Sequence, residues 1–249
     1  GQGYPSQVCP QPSSPLYVEA CNSQYIEYDT TLAAEYLDRV FPEGRDAEGF
    51  YLWNGERFSF VLIAVNDWTW APRNDELGEV VVGYMRAVGL DVRLNTMPND
   101  TWDQAARANT VEAALGTGEG GGGLNALLDA RNFVPMTTGA TKAFDTAWRM
   151  WRERVPEAEG ALPPPEWVAD AYQRYLDVNA QPSEDGQIAA MRAVIEEATE
   201  QFYVVGFLQG GDSWYPWNSR LGNVYDNWYG GWIEGVLKIL YPEQWYIRG

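Results

Sequence analysis

The middle of the chain alternates between apolar runs and apolar residues at helical spacing, and this pattern predicts a βαβ unit. Phe58–Val65 is an apolar run bounded by polar residues, which is typical of a buried strand. Helical spacing predicts a helix over 75–88, ended by Gly89, and alternation over 90–94 predicts a second strand. A strand, a helix and a strand within about 40 residues favour two parallel strands joined by a right-handed crossover.

Further elements are predicted on both sides of this unit. Asp29 and Ser183 are typical N-cap residues, and each precedes an amphipathic helix, the second of which runs to about Gln201. Residues 1–28 are rich in Pro, Ser, Gln and Tyr without periodicity, so we expect an extended loop held against a surface. The remaining predicted elements are a helix from about Asn99 in which Trp102 packs, a strand Val111–Leu115, a short helix near 144–151, a helix from Glu166, a strand Phe202–Leu208 and a short helix over Trp232–Leu240. The alternation predicts an α/β fold with a mostly parallel sheet flanked by helices.

Composition excludes several kinds of site within this chain. Its 249 residues include no histidine, so Ser-His-Asp and Cys-His catalysis and His-ligated zinc or haem are excluded. Two cysteines are too few for an iron–sulfur cluster or a Cys-only zinc site. A net charge of −18 repels phosphate backbones and argues against nucleic-acid binding. We therefore predict no catalytic residues, no metal site and no cofactor.

The two cysteines have two interpretations. Cys9 and Cys21 enclose a short segment rich in Pro and Ser, which suits a disulfide formed in an oxidising compartment. The chain-entropy model gives such a bridge roughly 3 kcal/mol of stabilisation. The alternative is two unrelated buried thiols.

Candidate ligand-binding residues lie in the loop that follows the first predicted strand. Ligands of open parallel sheets bind outside the carboxyl ends of the strands, and the loop over 66–72 lies at such an end. Trp68 and Trp70 are two residues apart there, and their flat rings suit a stacking wall for a ligand. The alternative is that one of them caps the core.

The Gly-rich loop over 116–123 follows the third predicted strand. It lacks the spacing and the Lys of a phosphate-binding loop, so its glycines more readily allow close approach of a ligand or a neighbouring element. We expect Gly118 and Glu119 to contact the ligand, with the Glu119 carboxylate accepting a charge-assisted hydrogen bond. The alternative for Glu119 is a solvated loop carboxylate.

The order of short segments along nearly the whole chain resembles a known family. These segments are Tyr28-Asp29, Phe58–Val65, Gly89–Val92, Gly116–Gly120, Pro165–Trp167, Tyr203–Gly206, Asn218–Val224 and Pro242–Tyr246. In this order they resemble the C-terminal half of the extracytoplasmic solute-binding proteins of ABC importers, in the oligopeptide- and dipeptide-binding group (solute-binding protein family 5).

The resemblance implies a fold, a division of the chain and a function. The fold would be a type II periplasmic-binding-protein-like lobe, with residues 1–205 as the second ligand-binding lobe, incomplete at its start. Residues 206–249 would hold the hinge crossover and a segment that returns to a missing first lobe. The chain would thus be a C-terminal fragment of a periplasmic or otherwise extracytoplasmic protein, without its signal peptide. Asp212, Trp214 and Trp217, which follow the crossover, would line the floor of the cleft.

The implied function is capture of a small oligomeric solute between two lobes for import through an ABC permease in the membrane, without catalysis. An oligopeptide is the usual solute of the family, where an Asp in the position of Glu119 often pairs with the peptide's amino terminus. The Trp-rich loops favour an oligosaccharide equally, since aromatic faces stack on sugar rings. The alternatives are a secreted carbohydrate-binding module and a glycoside hydrolase, which needs two acids about 5–10 Å apart.

Overall fold

The computed structural model describes residues 3–68, 71, 73–116, 122–137, 145–154, 160–210, 217–224 and 241–248. Its helices in these ranges are α1 (Glu19–Ser23), α2 (Thr30–Val40), α3 (Asn74–Ala87), α4 (Asn99–Arg107), α5 (Asn125–Leu128), α6 (Thr146–Arg152), α7 (Glu166–Asn179) and α8 (Glu184–Gln201). Its strands are β1 (Gly3–Pro5), β2 (Leu52–Trp53), β3 (Glu56–Arg57), β4 (Ser59–Val65), β5 (Asp91–Met97), β6 (Ala113–Leu115), β7 (Leu208–Gly210), β8 (Leu221–Gly222) and β9 (Tyr246–Ile247). The helix predicted over Trp232–Leu240 lies outside these ranges.

The chain divides into two compact units. The sheet unit consists of Glu27–Thr117 and Gly139–Pro164, and the terminal unit consists of Gly1–Ile26, Gly118–Thr138 and Pro165–Gly249. These units do not follow the predicted division at residues 205 and 206. That division concerns the lobes of a longer protein, and it stays a prediction.

The sheet unit is built on three parallel strands in the order β5-β4-β6. Ser59 of β4 pairs with Asp91 and Val65 pairs with Met97, so β4 and β5 match along their whole length. Strand β6 pairs with the other edge of β4. Helix α3 connects β4 to β5 and packs on both strands. The predicted βαβ unit and the predicted parallel sheet are therefore confirmed.

Both faces of β4 are buried, which explains its continuous apolar sequence. Successive side chains point to opposite faces of a strand, so Leu62 and Ala64 pack in one cluster and Ile63 and Val65 in another. Gly78 brings α3 close to the sheet, because a Cβ at this position would lie 2.7 Å from Cδ1 of Leu94.

The two predicted N-caps are confirmed. Asp29 accepts hydrogen bonds from the backbone N–H groups of Thr31 and Leu32, both at 2.9 Å, and so starts α2. The Ser183 hydroxyl accepts one from Gly186 N at 3.2 Å at the start of α8. The helices predicted from Asn99 and Glu166 and near 144–151 are present as α4, α7 and α6.

The expectation that residues 1–28 form an extended loop held against a surface is wrong in that part of the segment lies in the core. Leu16, Val18 and the two cysteines are buried in the core of the terminal unit, together with side chains of α8 such as Ile195. Cys9 and Cys21 are joined by a disulfide, which closes the segment onto this core. Helix α1 and strand β1 also lie in this region.

The strand predicted over Phe202–Leu208 is also wrong in its position. Phe202 ends α8 in the left-handed conformation, with φ of 48°, and the strand itself is β7, which pairs antiparallel with β1. Gly206 lies against the N-terminal segment and donates its N–H to Oε1 of Gln7 at 2.7 Å. A Cβ on Gly206 would lie 2.6 Å from the backbone of Gln7, so this close approach requires glycine.

Candidate functional site

The candidate site lies at the carboxyl edge of the sheet in the sheet unit. Because β4, β5 and β6 are parallel, their carboxyl ends meet at one edge, which is where ligands of open α/β sheets bind. In the described part of the chain this edge comprises Asn66 to Trp68 after β4, Pro98 after β5 and Gly116 after β6.

Hydrogen bonds tie the loop after β4 to the end of β5. Asn66 donates its backbone N–H to the carbonyl of Met97 at 3.1 Å. The Asp67 carboxylate accepts the backbone N–H of Asn99 at 2.8 Å, in the first turn of α4. A negative charge is favourable at a helix N-terminus, so Asp67 both orients its own loop and stabilises α4.

Trp68 packs in the core of the sheet unit, and its predicted contact with a ligand stays a prediction. Its side chain is 6% exposed, and its indole N–H donates to Oδ1 of Asn99 at 2.7 Å. Its ring meets the ring of Trp102 edge to face, with centroids 5.9 Å apart. In this structure Trp68 therefore matches the alternative in which one of the two loop tryptophans caps the core. Trp102 packs in the core as predicted.

Asn74 joins the carboxyl ends of β4 and β6, a role that the sequence analysis did not predict. It is the first residue of α3 and is buried, and its side-chain amide donates to the carbonyls of Val65 at 3.2 Å and Leu115 at 3.4 Å. A buried amide that satisfies two strand-end carbonyls fixes the distance between the loops after β4 and β6. The available signal was an Asn at the start of a helix immediately after a strand-end loop.

An ion pair lies beside this edge at the start of α3. Nε of Arg73 donates to Oε2 of Glu76 at 2.9 Å, and this hydrogen bond holds the pKa of the Arg73 guanidinium above its usual value. Both side chains are exposed, so the pair contributes little to stability. It provides one positive and one negative group beside the loop after β4.

The opposite, amino edge of the sheet carries a second charged cluster. Arg57 forms ion pairs with Asp46 at 2.6 Å and with Glu48 at 2.9 Å. Burial raises the pKa of Asp46, but hydrogen bonds from the backbone of Phe50 and from Arg57 outweigh it, so this pKa lies below its usual value. The cluster holds the turn over residues 46–50 against Arg57 of β3, and this role is structural.

The other predicted site residues are only partly described. Trp70, Gly118, Glu119, Asp212 and Trp214 lie outside the described residues, and their ligand contacts stay predictions. Trp217 belongs to the terminal unit and is 37% exposed. Among the described residues, no three carboxylate or cysteine side chains are grouped so that they could hold a metal ion.

The fold is that of the periplasmic binding proteins, and solved structures of this class resemble the chain. No protein-family model and no curated protein matches it. The oligopeptide-binding protein OppA matches with a TM-score of 0.76 and 16% identity over 99% of this chain and 40% of that one. MelB of Agrobacterium fabrum C58, in complex with stachyose, matches with a TM-score of 0.61 and 16% identity over 83% of this chain and 29% of that one.

A third neighbour is the dipeptide-binding protein of Pseudoalteromonas sp. SM9913 in complex with Met-Leu. It matches with a TM-score of 0.53 and 12% identity over 84% of this chain and 35% of that one. At these identities the likeness establishes the fold, and the predicted type II periplasmic-binding-protein-like architecture is confirmed at that level. The chain spans well under half the length of each of these three proteins.

Proposed function

We propose that this chain forms the C-terminal part of the extracytoplasmic solute-binding component of an ABC importer. It would bind an oligopeptide or an oligosaccharide without catalysis and deliver it to a membrane permease. The observation that carries the proposal is the fold match to OppA over 99% of the chain. No helix among the described residues is long and apolar enough to cross a bilayer.

The carboxyl edge of the sheet supports this proposal as the wall of a solute-binding cleft. Asp67, Asn74 and Asn99 use their side chains to hold the loops after β4, β5 and β6 in place. A binding wall needs such preorganised loops, because ordering them on binding would cost affinity. Trp70 and Glu119, which follow β4 and β6 in the sequence, are proposed to contact the solute.

The paired strands β1 and β7 are suited to connect the chain to a further lobe. They run antiparallel in a two-stranded sheet, with Tyr4 opposite Gln209. In the proposed mechanism two lobes close on the solute about such a crossover. Closure is favourable because the solute contacts both lobes only in the closed state.

The side chains proposed to contact the solute suit two classes of solute. The Glu119 carboxylate suits the ammonium group of a peptide, and the Trp70 ring suits the face of a sugar. The fold serves both, since one of its neighbours is a complex with the dipeptide Met-Leu and another a complex with the oligosaccharide stachyose. The test therefore has two arms, one with peptides and one with sugars as the solute.

The test is calorimetric titration of the complete gene product with di- to pentapeptides and with cello- and xylo-oligosaccharides. We expect saturable binding in one arm, with a Kd raised at least tenfold by Trp70→Ala or by Glu119→Gln. Trp151→Ala is the matched control, because Trp151 is an exposed tryptophan on α6 and should leave the Kd unchanged. Absence of binding in both arms, or equal effects of all three variants, would contradict the proposal.

A further inference from the structure

Strands β2 and β3 of the sheet unit are joined by a loop of two residues. Trp53 pairs with Glu56, so only Asn54 and Gly55 lie between the strands. Both loop residues have positive φ, 55° for Asn54 and 79° for Gly55. Positive φ at both central residues is the signature of a type I′ turn, which favours Asn followed by Gly. The geometry of the hairpin thus explains why this dipeptide occupies the turn.

The same dipeptide is chemically labile. Asparagine is a thermolabile residue, because the backbone nitrogen that follows it can lose its proton and attack the side-chain amide. In this turn a bond would form between the nitrogen of Gly55 and Cγ of Asn54, and ammonia would leave a five-membered succinimide. Water then opens the ring to aspartate or isoaspartate. Glycine is the most reactive following residue, since no Cβ shields its nitrogen.

A carboxylate holds the reactive N–H group. Gly55 donates its backbone N–H to Oε2 of Glu43 at 2.7 Å, and Asn54 donates its own to Oε1 of Glu43 at 2.8 Å. Both distances are typical of charge-assisted hydrogen bonds. The segment that carries Glu43 is tied to β2, because Leu52 donates its N–H to the carbonyl of Gly44 at 2.9 Å. One carboxylate therefore spans both N–H groups of the turn.

A carboxylate in this position opposes the loss of the Gly55 proton. Deprotonation would leave a negatively charged nitrogen next to the negative charge of Glu43, and like charges at this distance disfavour ionisation. The hydrogen bond also stabilises the protonated N–H and must break before the nitrogen can turn toward Asn54. A carboxylate is too weak a base to remove an amide proton itself. Both effects raise the barrier to ring closure.

We propose that Asn54-Gly55 is a deamidation site whose reaction is suppressed by Glu43. Deamidation would place a new carboxylate beside that of Glu43. Isoaspartate would in addition insert a carbon atom into the backbone of a two-residue loop, and the pairing of Trp53 with Glu56 depends on the length of that loop. The inference is independent of the proposed function, because it involves no residue proposed to contact the solute.

The test incubates the complete gene product at slightly alkaline pH and follows the peptide that contains Asn54 by mass spectrometry. The variant Glu43→Ala removes both hydrogen-bond acceptors. The matched control is Glu56→Ala, which removes another exposed carboxylate next to the turn. Hydrogen exchange at Phe58, whose N–H donates to the carbonyl of Tyr51 at 2.8 Å, shows whether the hairpin stays paired.

We expect Glu43→Ala to deamidate at Asn54 about three- to tenfold faster than the wild type, with Phe58 still protected. This factor corresponds to about 0.7–1.4 kcal/mol at the barrier, which is the contribution of an ordinary hydrogen bond. Glu56→Ala should react at the wild-type rate. Equal rates in the three proteins, or equal acceleration by both substitutions, would overturn the proposal. So would a faster reaction with loss of protection at Phe58, because Glu43 would then act by holding the hairpin and not the N–H group.

Discussion

Replacing Trp68 by phenylalanine tests whether this tryptophan holds the sheet unit together. The substitution keeps an aromatic ring against Trp102 but removes the indole N–H that donates to Asn99 at 2.7 Å. A lost hydrogen bond contributes about 0.5–1.5 kcal/mol, and the smaller ring leaves a partly filled cavity. We therefore expect the free energy of unfolding of the sheet unit to fall by about 1–3 kcal/mol.

A double-mutant cycle with Asn99→Ala isolates the hydrogen bond from the cavity. Asn99→Ala removes the acceptor but keeps the backbone N–H that Asp67 holds. Since both single variants lose the same bond, the double variant should be less destabilised than their sum by about 0.5–1.5 kcal/mol. Trp151→Phe, at an exposed position of the same unit, should change stability by less than about 0.5 kcal/mol.

The measurement is urea unfolding, monitored by hydrogen exchange at the backbone amides of β4. These amides report on the sheet unit alone, whereas fluorescence would average 12 tryptophans from both units. An unchanged midpoint for Trp68→Phe, or additive effects in the cycle, would refute the structural role. A Trp68→Phe variant of full stability that no longer bound solute would restore Trp68 to the proposed site.

Three further predictions concern other parts of the fold. Cys9→Ala/Cys21→Ala removes a link between residues 12 apart, so the free energy of urea unfolding should fall by about 3 kcal/mol, and an unchanged value under oxidising conditions would contradict this. Gly206→Ala places a Cβ 2.6 Å from the Gln7 backbone and should cost about 1–3 kcal/mol by the same assay, whereas equal tolerance of Gly206→Ala and of Gly210→Ala, where space is open, would show that the contact relaxes. The pKa of Asp46 lies below its usual 3.8, so its stabilising effect is full at higher pH and is lost as the pH falls through that lowered pKa. The stability difference between wild type and Asp46→Asn should therefore shrink on acidification, and a difference independent of pH would argue against the Arg57 cluster.

Local patterns predicted the central strand and the starts of two helices well, because these elements carry their own signals. The buried run of β4 and the caps Asp29 and Ser183 depend on residues close in sequence. These signals involve residues only a few positions apart, so they can be recognised in a single sequence.

The errors concern residues whose environment is set by distant partners. Leu16 lies in a segment without periodicity, and it is buried because the disulfide and side chains of α8 form a core around it. The apolar run after Phe202 favoured a strand. In the structure this run lies against the N-terminal segment, as the hydrogen bond from Gly206 to Gln7 shows. Trp68 in a polar loop suited both a ligand wall and a core cap, and Asn99, to which its indole N–H donates, lies 31 residues away.

The same distant partners explain how the pair of strands proposed as the crossover is held. A two-stranded ribbon is at best marginally stable by itself, and closing a loop of about 200 residues to form it is entropically costly. Gln7 offsets this cost directly after β1, because its amide donates to the carbonyl of Gln24 at 2.8 Å and accepts the N–H of Gly206 just before β7. The disulfide at Cys9 then fixes the segment to the core of the terminal unit. Both strands are thus anchored from one side, which is compatible with the hinge proposed for this ribbon.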